Sequence, residues 1–182
     1  MTATAKLSVR DMAMVAVMTA VMAVCSWISI PTTVPFTLQT LGVFMACALL
    51  GGKRGSLAVL VYILLGALGL PVFAGFSGGA GALLGVTGGY IWGFLLQALV
   101  MWGIEALWGR ETWWKLAAGM VLGLVACYAA GTAWFMVVYA RTTGPVGLAS
   151  VLGWCVFPFV GPDLLKMALA ILLQRRVGKY VG

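Results

Sequence analysis

Six long apolar stretches constrain the fold of this chain more tightly than any other feature. They run over residues 12–30, 38–50, 56–70, 88–107, 116–139 and 148–173. In hydrocarbon every backbone N–H and C=O must be bonded within the chain, so only helices and closed barrels span a bilayer. The stretches are continuous rather than alternating, which excludes a barrel. Hydrophobic residues make up 63% of the chain, charged residues 8%, and the mean hydropathy is +1.10. A soluble domain carries about 25% charged residues. The expected fold is therefore an all-α integral membrane protein, a bundle of six transmembrane helices forming one domain over residues 1–182, with no room for a second, soluble domain. Segments 38–50 and 56–70 are short for a bilayer that needs about 20 residues. They must borrow flanking residues or have their ends covered by other parts of the chain.

The net charge of +7 is an orientation signal. Lys6, Arg10, Lys53, Arg54, Arg110, Lys115, Arg175, Arg176 and Lys179 fall at alternate ends of the segments, and the opposite ends carry Arg141 alone. By the positive-inside rule both termini are expected in the cytoplasm. Lys6 and Arg10 before an apolar run resemble a secretory signal, but that run is long enough to span and reads as a retained first helix. Of the two main outer loops, 31–37 is polar and bounded by proline. The other, 71–87, combines Gly75, Gly78, Gly79, Gly81 and Gly85 with Val72, Phe73 and Phe76. A loop so apolar is expected to fold back onto the bundle and close over something.

Asp163 and Lys166 lie within the last apolar segment. At about 1.5 Å per residue, Asp163 sits about 18 Å from the basic end at Arg175, near mid-membrane. A charge there costs on the order of 2.5–3.5 kcal/mol, so an intramembrane ion pair marks a candidate functional site. The two residues are three apart and share one helix face. They follow Pro158-Phe159-Val160-Gly161-Pro162, which is expected to break or kink the helix, and such breaks commonly form substrate sites in transporters. The pair also reads as a helix cap with its counter-charge. As a binding site it suits a ligand with an anionic group, an N–H donor and an apolar body between them. Candidate walls are Phe36, Phe73, Tyr90, Trp92, Trp134 and Tyr139, and Arg141 is a candidate for attracting an anion.

Other chemistries find no residues. The chain has no histidine, no P-loop pattern and no metal-ligand spacing among Cys25, Cys47, Cys127 and Cys155, which read as buried thiols. Gly51–Ser56 reads as a tight cytoplasmic turn, and Glu105 as facing headgroups or water. The expectation is a protein that is not an enzyme and has no cofactor or metal. Small residues at helical spacing mark close helix approaches in lipid. Gly119, Gly123, Cys127 and Gly131 read as internal packing; Ala16 and Ala20 read equally as packing or as a docking face for a partner protein.

The run Val34-Pro35-Phe36-Thr37-Leu38-Gln39-Thr40-Leu41-Gly42, followed by Leu50-Gly51-Gly52-Lys53-Arg54-Gly55, resembles the N-terminal signature of the BioY biotin transporters. So do the stretch from Tyr62 to Phe73, Thr87-Gly88-Gly89-Tyr90, and the closing Pro158-Phe159 through Asp163-Leu164-Leu165-Lys166. The resemblance implies a six-helix, substrate-binding S component of an energy-coupling-factor transporter in the cytoplasmic membrane. It implies biotin as transported ligand, and a transmembrane coupling subunit and ATPase subunits as partners. It carries binding roles onto Asp163 and Lys166, and onto Thr37, Gln39 and Tyr90; Phe73 stands as a wall, and Ala16 and Ala20 as the partner-docking face. Two departures stand out: Val86 where the family usually has proline, and Gly161-Pro162 where it usually reads Pro-Gly. An S component for another vitamin, or a non-transporting structural membrane subunit, is the alternative.

Overall fold

The computed structural model describes residues 7–32, 34–109 and 112–181; Lys6 and Arg110 of the basic pattern, and Thr33 of the loop over 31–37, lie outside them. The described chain is helical almost throughout: α1 Val9–Trp27, α2 Gln39–Leu50, α3 Gly52–Ala67, α4 Ala80–Leu84, α5 Gly88–Trp108, α6 Trp113–Thr142, α7 Leu148–Cys155 and α8 Phe157–Val181. A short antiparallel pair, β1 Ser29–Ile30 and β2 Phe36–Thr37, closes the loop between α1 and α2, with Ser29 opposite Thr37 and Ile30 opposite Phe36. Among the described residues, Val9–Trp27, Gly88–Trp108, Trp113–Thr142 and the Leu148–Lys179 stretch are long and apolar enough to cross a membrane.

The apolar stretches become helices, with the short ones wrapped by their neighbours. α2 has 12 residues, all but two of them buried. It lies against α1, α3, α5 and α8, so its backbone ends meet protein rather than lipid. α2 passes into α3 through Gly51 alone, whose φ of 83° suits glycine. The expected turn over Gly51–Ser56 is thus one residue long, and Lys53 and Arg54 begin α3. The α3 amino end is closed by Glu105, whose carboxylate accepts from the Gly52 N–H; Glu105 thus bonds protein instead of simply facing headgroups. At the same end, Ser8 caps α1 in a reciprocal box with Asp11, which also pairs with Arg54 at 3.2 Å.

α5 and α6 pack most intimately, through the small-residue stripe. A Cβ added at Gly131 would overlap the Tyr90 ring, one at Gly123 would reach the Gln97 backbone oxygen at 2.8 Å, and Gly93 approaches Cys127. Ala16 and Ala20 are exposed on α1, while Val15, Met18, Thr19 and Met22 on its other face are buried. All four cysteines are buried free thiols.

The last apolar stretch is broken, but earlier than its proline content suggests. The interruption falls at Val156, between α7 and α8, and Pro162 lies inside α8. Pro158 has no N–H to give the Trp154 carbonyl, so the α7 ladder ends before it. Pro158 then falls in the first turn of α8, where a missing N–H costs nothing. Asp163 consequently sits in the second turn of α8 and does not cap it.

Candidate functional site

A cavity of about 400 Å³ opens between the loops over residues 34–37 and 71–87 and α2, α5, α7 and α8. The glycine-rich loop folds over it, as its apolar composition requires. Residues 74–76 make a single 3-10 turn and α4 follows. The loop is fixed at both ends: Trp27 Nε1 donates to the Pro71 carbonyl at 2.7 Å, Ser26 donates to the Val72 carbonyl, and Trp134 Nε1 donates to the Gly85 carbonyl at 2.9 Å. Phe73 turns inward against Tyr62, while Phe76 stacks on Trp27 at 5.2 Å.

The polar part of the cavity wall is built around Asp163, which is 1% exposed. Its Oδ1 accepts from Lys166 Nζ at 2.8 Å and from the Thr40 hydroxyl at 2.8 Å. Its Oδ2 accepts from the Tyr128 hydroxyl. Lys166 Nζ also donates to the Thr37 carbonyl at 2.7 Å and to Thr40 Oγ1 at 3.0 Å, and lies 4.7 Å above the Phe36 ring centre. The ammonium has three N–H groups and spends all three on protein oxygens. A buried ion pair is retained at acceptable cost only when its remaining lone pairs and protons are satisfied, and here they nearly all are. One acceptor position remains: Oδ1 serves two donors and Oδ2 one, so Oδ2 has a lone pair left for a ligand.

The remaining polar lining lies on β2 and the start of α2. Thr37 Oγ1 accepts from the Gln39 backbone N–H at 3.1 Å, leaving its own proton to donate. The Gln39 amide donates to the Tyr62 hydroxyl at 2.6 Å. Tyr90 lines the apolar side with its hydroxyl 3.3 Å from Thr132 Oγ1. The structure thus brings Asp163, Lys166, Thr37, Gln39, Tyr90 and Phe73 around one cavity. Arg141 is exposed in the last turn of α6 and does not line it. Of the other aromatic candidates, Phe36 stacks on Phe159 at 5.6 Å beneath Lys166, Tyr139 stacks on Phe135, and Trp92 is exposed. None of these three lines the cavity, and neither does Trp134.

A sequence profile of the BioY family matches residues 1–182. The chain belongs to the BioY family. It is 44% identical over 173 residues to the biotin transporter BioY of Thermotoga maritima, covering 93% of this chain and 96% of that one. It is 39% identical over 169 residues to the probable biotin transporter BioY of Pyrococcus horikoshii, covering 92% and 96%. Its fold superimposes on the crystal structure of the S component for biotin from an ECF-type ABC transporter with a TM-score of 0.81. That match has 28% identity and covers 98% of this chain and 95% of the other.

Within this BioY-family fold, Thr40, Tyr128 and Tyr62 hold the site together and did not stand out in the sequence. Thr40 lies inside the motif that carries the resemblance, and Tyr62 opens the second. Tyr128 follows Cys127 of the small-residue stripe directly; a polar ring among glycines and alanines in mid-helix was the available signal.

Proposed function

We propose that this chain captures biotin at the outer face of the cytoplasmic membrane and serves its uptake as the substrate-specific S component of a transporter. The observation that carries the reading is the cavity of about 400 Å³ whose polar wall keeps one open carboxylate acceptor on a buried, otherwise bonded ion pair. Biotin has a cyclic urea with two N–H donors, an apolar bicycle and chain, and a terminal carboxylate. In this reading Asp163 Oδ2 accepts one urea N–H, Gln39 accepts the other, and the Thr37 hydroxyl donates to the urea oxygen. Phe73 and Tyr90 flank the apolar body. Lys166, with its donors committed, orients Asp163 and joins α8 to α2.

The chain acts as one domain over residues 1–182 whose six apolar stretches each span the bilayer, with both termini in the cytoplasm. The basic residues at alternate ends support that orientation. Transport draws on a transmembrane coupling subunit and ATPase subunits, which dock on the exposed Ala16 and Ala20 face of α1; the chain's lack of a P-loop supports an external energy source.

Equilibrium binding of radiolabelled biotin to the purified protein tests the proposal. Saturable binding that excess unlabelled biotin displaces is the expected result. Absence of binding, with the protein folded, refutes it, and displacement by a different vitamin instead would assign the cavity to that vitamin.

A further inference from the structure

Tyr62 is fully buried on α3 and does not line the cavity, yet its hydroxyl determines what Gln39 offers a ligand. The phenol oxygen lies 2.8 Å from the Val72 carbonyl oxygen and 2.6 Å from the Gln39 side-chain amide. A carbonyl has no proton, so the first contact is a hydrogen bond only if Tyr62 donates. A phenol has one proton, and Val72 takes it. Toward Gln39 the phenol oxygen can then only accept, and Gln39 must turn its NH₂ to it. The two ends of a glutamine amide are nearly alike in shape and are told apart by their partners; here a backbone carbonyl two bonds away decides. The other end, Oε1, accepts from no described residue. It is also not among the sequestered, unbonded polar atoms, which leaves it open to the cavity that Gln39 lines.

We infer that Tyr62 is a positioning residue, which holds the Gln39 amide as an acceptor toward the ligand and ties that orientation to Val72 of the overlying loop. The inference rests on the reading of the cavity as a biotin site, because a urea N–H is the donor Oε1 would meet. A reversed amide would set NH₂ against N–H, donor against donor. The relay also makes the loop part of the site's chemistry. The Val72 carbonyl accepts from Tyr62 and lies beside the Ser26 hydroxyl, whose one proton is shared between the Ala23 and Val72 carbonyls, so with the loop in place the phenol proton has a fixed destination. Lifting the loop would free the proton and let the amide turn.

The test is a double-mutant cycle on biotin affinity with Tyr62→Phe and Gln39→Leu. Tyr62→Phe keeps the buried ring and should weaken binding about two- to tenfold, the range of one neutral hydrogen bond. Gln39→Leu should weaken it at least as much, and the double variant should bind like Gln39→Leu alone, because Tyr62 acts through Gln39. Unchanged affinity in Tyr62→Phe overturns the inference. Losses that multiply in the double variant also overturn it, since they mean Tyr62 only anchors the loop. A second measurement does not depend on the ligand: the Gln39 side-chain amide, observed by ¹⁵N NMR in unliganded protein, should shift when the phenol is removed. An unmoved signal overturns the inference whatever the cavity binds, whereas failure of the wild-type protein to bind biotin refutes the functional reading alone.

Discussion

Replacing Asp163 by Asn removes one charge and keeps the shape, and the hydrogen bonds around it dictate how the new amide lies. Lys166 can only donate, so the amide oxygen must take the Oδ1 position, 2.8 Å from Nζ. The NH₂ group then occupies the Oδ2 position. There the Tyr128 hydroxyl can rotate and accept, but a urea N–H cannot. The ligand loses a hydrogen bond to a charged acceptor, worth about 1.5–3 kcal/mol, and meets a donor instead. Biotin affinity should fall about tenfold to 150-fold. Stability should fall as well, because removing one member of a buried ion pair costs about 3–5 kcal/mol. The double variant Asp163→Asn with Lys166→Met removes both charges and should recover much of that stability. Biotin titration of detergent-purified protein reads the first effect and thermal unfolding the second. Affinity of Asp163→Asn within twofold of wild type would refute the assignment of Oδ2 as the ligand's acceptor.

Three further outcomes are expected. Gly66→Ala places a methyl against the Phe73 ring, so it should push Phe73 from the cavity wall, destabilise by about 1–3 kcal/mol and weaken biotin binding. Gly103→Ala, which meets nothing within 4 Å, should do neither when the two variants are titrated side by side. In a cysteine-free background, Ser77→Cys on the cavity-lining loop should react with a membrane-impermeant thiol reagent applied to intact cells, and biotin should slow the reaction. Replacing Ala16 and Ala20 together by Trp should abolish uptake in cells that contain an energy-coupling module while sparing biotin binding; loss of both would mean the face is internal packing, and survival of both that it contacts lipid alone.

The helices were legible because bilayer and helix impose simple conditions: an apolar run must satisfy its own backbone, so five of the runs became single helices and the last became two, α7 and α8. The break at Val156 was harder to read. Proline signals a disruption, but a proline two residues into a helix is tolerated, so the disruption moves upstream of the residue that causes it. Asp163 and Lys166 could be found because charge in hydrocarbon has no cheap explanation. Their partners could not. A hydroxyl in an apolar helix usually bonds its own backbone, as Thr19 does with the Val15 carbonyl at 2.9 Å, and nothing local distinguishes Thr40 or Tyr128 from such a residue. Arg141 illustrates the converse: it stands apart from the other basic residues in the sequence, but an exposed position at a helix end costs a cation nothing and so says nothing about a ligand.

The Lys166 bond to the Thr37 carbonyl joins residues 129 positions apart, which has a consequence for biogenesis. During synthesis the β2 strand and α2 leave the ribosome long before α8 exists. Until α8 enters the bundle, the Thr37 carbonyl and the Thr40 hydroxyl lack the ammonium that later joins them, and Asp163 and Lys166 arrive as a pair whose remaining partners are already waiting. The polar wall is therefore completed only when α8 joins α2 in the bundle, and ligand binding would report that this late-made helix has been inserted.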